Sequence, residues 1–156
     1  MDIVSTEKRS WMMSRVRRSS TDLEKALRSE LHKRGFRFRT NVRGLPGSPD
    51  LVFSKYKAAI FVHGCFWHAH TCSLFKLPRT RSAFWREKFG RNKERDLLKA
   101  SILQKRGWRV AVVWQCALRV PPPALDRLIT QLERWLESDS SFIEVPKRTR
   151  RCRTYN

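Results

Sequence analysis

Acidic residues are scarce in this chain. Fourteen Asp and Glu stand against 34 Lys and Arg in 156 residues, a formal net charge of +20 at pH 7 with histidines neutral. Such a field excludes indifference to polyanions, because it attracts nucleic acid and supplies non-specific affinity through counterion release. Long apolar runs are also missing. None approaches the roughly 20 residues that a bilayer-spanning helix needs, so a membrane protein is not expected. Residues 1–20 hold no apolar stretch of the kind a secretory signal carries, so the expected place is the cytoplasm, close to the nucleoid. There is no internal repeat. With 40% apolar residues, a chain of this length is expected to form one domain with a substantial core.

Only four cysteines and four histidines occur, and most of them are crowded together. Val62-His63-Gly64-Cys65-Phe66-Trp67-His68-Ala69-His70-Thr71-Cys72 holds three of the histidines and two of the cysteines. Disulfides are rare in a reducing compartment, so Cys65, Cys72 and Cys116 point to metal binding rather than to bridges. Cys152 stands alone in a basic tail and reads as a free thiol. The spacing Cys65-x4-His70-x-Cys72 puts three soft ligands in one loop, and Cys116 is the natural fourth. A Cys3His set with no position left for water is the signature of structural Zn2+.

Along the chain, residues 1–20 read as a short helix or a basic arm that orders on and contacts DNA. Thr21-Asp22-Leu23-Glu24 has capping-box spacing, and Leu23, Ala26, Leu27 and Leu31 follow at helical period, with Gly35 as the stop. Phe36 to Arg39 alternates like a strand. Leu45 to Pro49 is a turn, and Asp50–Phe53 and Ala58–Val62 read as a hairpin of short strands. Thr80 is placed to cap a helix carrying Phe84, Trp85 and Lys88. Gly90 is expected to interrupt or bend it, before Asn92–Arg106 continues with Leu97, Leu98, Ile102 and Leu103 as the apolar face. Trp108–Trp114 suits an inner strand. Pro121–Pro123 reads as a rigid spacer before an amphipathic helix, Ala124–Glu137, with Leu125, Leu128, Ile129, Leu132 and Trp135 inward. Everything from Ser138 reads as a charged, flexible tail. The expected fold class is α/β, a single mixed sheet flanked by helices.

Pro49-Asp50 opens a strand after a glycine turn, and a second strand follows within a dozen residues. That is the layout of the PD-(D/E)xK nuclease core, where an aspartate at a strand start binds a catalytic cation. The second acidic residue and the lysine normal to the next strand are missing; Phe61-Val62-His63 stands there instead. His63 and His68 are candidate bases, since a neutral imidazole can take a proton from water near pH 7. Asp96 is placed to orient one of them, and Mg2+ at Asp50 would neutralise phosphate charge. Simpler roles exist for each: a turn cap for Asp50, support of the metal loop for the histidines, a surface ion pair for Asp96 and the capping box for Glu24.

Together these residues closely resemble the Vsr family, the very-short-patch-repair DNA mismatch endonucleases of bacteria. The resemblance runs from about Lys8 to Cys116. It includes Lys8-Arg9-Ser10, Met13-Ser14, Thr21 and Glu24, Leu45-Pro46-Gly47-Ser48-Pro49-Asp50, and His63 to His68 with His70 and Cys72. It continues through Phe84-Trp85, Asn92, Arg95-Asp96, Gly107-Trp108-Arg109-Val110 and Trp114-Gln115-Cys116. It implies a restriction-endonuclease-like core over residues 21–137 and a Mg2+-dependent nick 5′ to the thymine of a T:G mismatch, the lesion left when 5-methylcytosine deaminates.

Carried over residue by residue, the resemblance makes Asp50 the main Mg2+ ligand and the Val62 backbone carbonyl another. His68 becomes the general base, supported by His63 and Asp96, and Glu24 contacts metal-bound water. Cys65, His70, Cys72 and Cys116 hold structural Zn2+. Phe66, Trp67 and Trp85 wedge into the base stack beside the mismatch. Two positions depart from the pattern. Val62 lacks the hydroxyl of the threonine some members carry, which leaves only a backbone role there. Gln115 stands where glutamate is common. The partner is double-stranded DNA, with other mismatch-repair proteins as possible associates. A monomer is expected, since an asymmetric mismatch has no two-fold axis. The rival readings are a non-catalytic, zinc-stabilised DNA-binding module and a restriction-type nuclease that cuts matched duplex.

Overall fold

Five strands form one mixed sheet in chain order, β1-β2-β3-β4-β5, in a computed structural model. The structure describes residues 22–146 together with Ser5, Glu7, Lys8 and Trp11. The elements are α1 (Asp22–Lys33), β1 (Arg39–Thr40), β2 (Leu51–Phe53), a 3-10 turn (Ser54–Tyr56), β3 (Ala58–His63), α2 (Ser82–Lys105), β4 (Arg109–Trp114), α3 (Gln115–Leu118), α4 (Pro122–Leu136) and β5 (Phe142–Val145). β1, β2 and β3 run antiparallel; β4 and β5 join in parallel. The expected α/β class with one mixed sheet is what the chain forms. No helix among the described residues is long and apolar enough to cross a membrane.

Alternation along the strands divides the core in two. Leu51, Phe53, Ala58, Ile60, Ala111 and Val113 face one way and meet Leu27 and Leu31 of α1 and Leu128, Ile129, Leu132 and Leu136 of α4. Ala59, Phe61 and Val110 face the other way and meet Leu103 of α2. Burying each such leucine is worth roughly 1.5–3 kcal/mol, so the first face carries most of the stability. The second face is covered only near the C-terminal end of α2. The rest of that face is open, and this opening becomes the site.

Several expectations need correction. α2 runs unbroken through Gly90, which is tolerated because Phe89 is buried beside it and Asn92 donates to the Trp67 carbonyl at 2.9 Å. A mid-helix glycine costs only about 1 kcal/mol, and these tertiary contacts outweigh it. Leu97 and Leu98 do not form an apolar face; they are 72% and 60% exposed. The inward stripe instead runs Phe89, Lys93, Asp96, Ala100 and Leu103, at helical spacing but partly polar. Arg81, not Thr80, caps α2, with positive φ and no side-chain bond. Of the expected Phe36–Arg39 strand only Arg39 pairs into the sheet, and the strand runs on to Thr40 instead. Pro122 and Pro123 belong to the first turn of α4 rather than to a spacer, since proline suits a position whose N–H has no helical partner.

The largest correction concerns the C-terminal segment. Phe142–Val145, assigned to the tail beginning at Ser138, forms β5 and pairs with β4 from Val110↔Phe142 to Val113↔Val145. Four residues carry too little pattern to be seen as a strand without the partner that satisfies their backbone. The DNA-contacting arm expected over 1–20 and the remaining tail, 147–156 with Cys152, lie outside the described residues apart from Ser5, Glu7, Lys8 and Trp11.

Candidate active site and metal centre

The open part of the second sheet face is a cavity of about 450 Å³. Its walls are the ends of the strands, the turn before Asp50 and the polar stripe of α2. Asp50, Val62, His63, His68 and Asp96 all line it. Residues from three segments, around 50, 62–68 and 96, are thus brought to one place.

Asp50 enters β2 from the Leu45–Pro49 turn, and its Oδ2 accepts from the Val62 N–H at 2.7 Å. Burial pushes its carboxyl up to about 6, and the charge of Glu24 pushes the same way, while the Val62 bond and Arg28 oppose them. Glu24 is itself buried on the inward face of α1 and is bonded to Arg28 one turn on. The capping role leaves that burial unexplained, and Thr21, its partner in the capping box, is outside the described residues. The desolvated Asp50 carboxylate, within reach of the charge of buried Glu24 and beside the Val62 backbone, offers hard oxygen donors of the kind that suit Mg2+.

His63 and His68 stack with centroids 4.0 Å apart and planes at 1°. His68 Nδ1 is hydrogen-bonded to Asp96 Oδ2. Burial alone would raise the Asp96 carboxyl, but the His68 bond and the charges of His63, His68 and Lys99 outweigh it and hold it below the usual carboxylate range. Asp96 is therefore an anion facing His68, and the other ring nitrogen of His68, Nε2, is left for chemistry. The ligand-type atoms of His63, His68 and Asp96 lie within 4.8 Å of one another.

A second cluster adjoins the first. Ligand atoms of Cys65, His70, Cys72 and Cys116 also lie within 4.8 Å of one another. The loop is wound on itself by His70 N–H to Cys65 O and Cys72 N–H to His70 O, both 2.9 Å. α3 brings Cys116 in, its N–H donating to Cys65 Sγ at 3.3 Å and its Sγ 3.5 Å from His70 Nδ1. Burial raises the Cys65 thiol, and burial with the Cys65 charge pushes Cys116 up to about 12. A bound cation reverses that preference, so the donor set fits a thiolate-binding metal ion. Ala69 lies between His68 and His70 with φ +47. That left-handed residue turns the chain so that consecutive histidines serve opposite clusters.

Phe66, Trp67 and Trp85 form a ring cluster, with centroids 5.1–6.4 Å apart. All three are partly exposed, and Lys88 lies over both tryptophans. Buried Phe89 anchors Phe66 and Trp85 from beneath. The cluster is therefore seated on a buried ring yet stays partly exposed.

Reading the chain alone missed five participants. Gly47 has φ +81, and a Cβ there would sit 2.9 Å from Lys99 Cδ and 3.1 Å from Phe61. Lys93 and Lys99 line the cavity from α2. The spacing Lys93-x2-Asp96-x2-Lys99 was the available signal, since it puts all three on one helical face. Phe142 and Glu144 line it from β5. Glu144 Oε1 accepts from Trp114 Nε1 at 2.7 Å, and nothing in the local sequence marked either residue.

Comparison with known proteins gives a consistent result. A family model described as DNA mismatch endonuclease Vsr matches residues 1–74. The DNA mismatch endonuclease Vsr of Escherichia coli is 43% identical over 145 residues, covering 92% of this chain and 93% of the relative. The type II nicking enzyme V.XorIIP of Xanthomonas oryzae is 49% identical over 117 residues, 75% of this chain and 86% of its own. V.NmeAIP of Neisseria meningitidis, also a type II nicking enzyme, is 39% identical over 135 residues, 85% of this chain and 96% of its own.

Proposed function

The chain belongs to the Vsr family of DNA mismatch endonucleases, and on that premise we propose that it nicks one strand of DNA 5′ to the thymine of a T:G mismatch, in very short patch repair. The observation that carries this reading is the single cavity joining Asp50 to His63, His68 and Asp96. Asp96 accepts from Nδ1 of His68, which fixes the tautomer and leaves Nε2 to take a proton from the attacking water. His63 stacks on His68 and restricts its rotation. Asp50 and the Val62 backbone carbonyl would hold Mg2+, with Glu24 beside them, and the ion supplies charge neutralisation at the phosphate and at the leaving oxygen. Val62 reaches the site through its backbone, so its lack of a hydroxyl is no obstacle to that role.

Cys65, His70, Cys72 and Cys116 would hold Zn2+ as a closed set that stiffens the loop. Phe66, Trp67 and Trp85 are the rings that enter the base stack. Parting a base step costs a few kcal/mol, and a mismatched step resists less, so part of the selectivity comes from deformability. Residues 1–20 act as a DNA-contacting arm, and the working form is a monomer in the cytoplasm. Other repair proteins would meet it on the DNA.

The test is a strand-specific nicking assay with Mg2+ on matched, T:G and other mismatched duplexes. Cutting of the thymine strand of T:G alone is the expected result. Equal cutting of matched duplex favours the restriction-type alternative. Tight binding without cutting favours a DNA-binding module.

A further inference from the structure

We propose that Lys99 is a substrate-binding residue of the active cavity, its ammonium holding a non-bridging oxygen of the phosphodiester that is cut. This rests on the nuclease reading above and deepens it. The cavity is lined by the carboxylates of Asp50, Asp96 and Glu144, and the charge of Glu24 acts on Asp50. A phosphodiester entering it carries a further negative charge. Besides a cation at Asp50, positive side chains can face it from the same cavity, and Lys93 and Lys99 are the two lysines that line it.

Lys99 is the better placed of the two. It lies one helical turn past Asp96, and its charge acts on that carboxylate. Its stem runs across the turn that delivers Asp50, with Cδ 2.9 Å from where a Gly47 Cβ would be. That space is open only because residue 47 is a glycine with φ +81. Lys99 is also partly buried, whereas Lys88 and Lys105 on the same helix are exposed. A lysine whose stem is seated against the Gly47 turn, with its charge already felt at Asp96, loses little freedom on meeting a phosphate. The hydrogen bond it then makes is between two ions, the stronger class.

The experiment is a coupling measurement on the full, metal-loaded chain. Wild type first locates the cut phosphate. Duplex affinity is then measured in Ca2+ for wild type and Lys99→Met, each with a native phosphate or a neutral methylphosphonate at that position. Methionine keeps the stem over Gly47 and removes only the charge. Wild type should lose roughly 10- to 100-fold on the neutral duplex, as expected for a hydrogen bond to a charged group. Lys99→Met should lose far less, and Lys99→Arg should behave like wild type. The salt dependence of Lys99→Met binding should be shallower by about one counterion. Equal losses in wild type and Lys99→Met overturn the proposal, as does a Lys99→Met defect confined to a shifted pH–rate profile, which would mean action through Asp96. A wild type that nicks no duplex overturns the nuclease reading itself, and this proposal with it.

Discussion

His70 lies flat against the indole of Trp114, with centroids 4.2 Å apart and planes at 11°. His63 meets the same indole edge-on at 5.3 Å. One buried side chain at the end of β4 is thus shared by the cysteine cluster and by the histidine pair of the cavity. The indole N–H is tied to Glu144 of β5, so the ring is held by His70 on one face, by His63 and by a hydrogen bond at its nitrogen. The cysteine cluster therefore bears on the cavity through rigid contact.

Disrupting the proposed zinc cluster should be felt at both places. Cys72→Ser is expected to lower the bound zinc, measured by elemental analysis, and to lower Tm. Nicking should fall with it because His63 and His68 lose their backing. An unchanged zinc content would remove Cys72 from the ligand set.

His68→Ala should slow single-turnover nicking by roughly two to four orders of magnitude if the imidazole is the base. Asp96→Asn should produce a smaller loss. The double variant should be no worse than His68→Ala, since the two act as one unit. Additive losses in the rate would count against that pairing.

Asp50 couples activity to stability in opposite directions. Its carboxyl is raised from 3.8 to about 6, so the folded chain prefers the protonated form. The penalty is absent below pH 4, grows between pH 4 and 6, and is complete above 6. In magnesium-free buffer, stability should therefore fall across that window, by about 3 kcal/mol at most from this one group. Asp50→Asn should abolish nicking yet melt several degrees higher than wild type at pH 7.5, with little difference at pH 4. Equal melting temperatures at both pH values would contradict the desolvation account.

Gly47→Ala should cost about 1–2 kcal/mol from the left-handed backbone alone. The added methyl also meets Lys99 and Phe61, so nicking should fall further than the change in Tm explains. Activity that tracks Tm alone would mean the turn is merely structural.

Removing residues 142–156 should destabilise the domain rather than trim a tail. The cut exposes the edge of β4 and removes buried Val145 and the Glu144 partner of Trp114. A truncated chain with wild-type Tm and activity would show that β5 is dispensable.

Local chemistry determined much of this protein. Asp50 stands directly after a proline turn, and the ligand spacing from Cys65 to Cys72 is short, so both were legible in order along the chain. So were α1, α4 and the apolar strands, because their period follows from which side must leave water. Tertiary structure alone decided the rest. The inward stripe of α2 includes Lys93 and Asp96 because a polar cavity, not a core, lies beneath it, and an apolar pattern cannot reveal that. β5 exists because β4 offers it an unpaired edge, and Trp114 joins two clusters because it ends the strand beside β3. Those facts depend on what lies across the sheet, and no stretch of sequence contains its own neighbour.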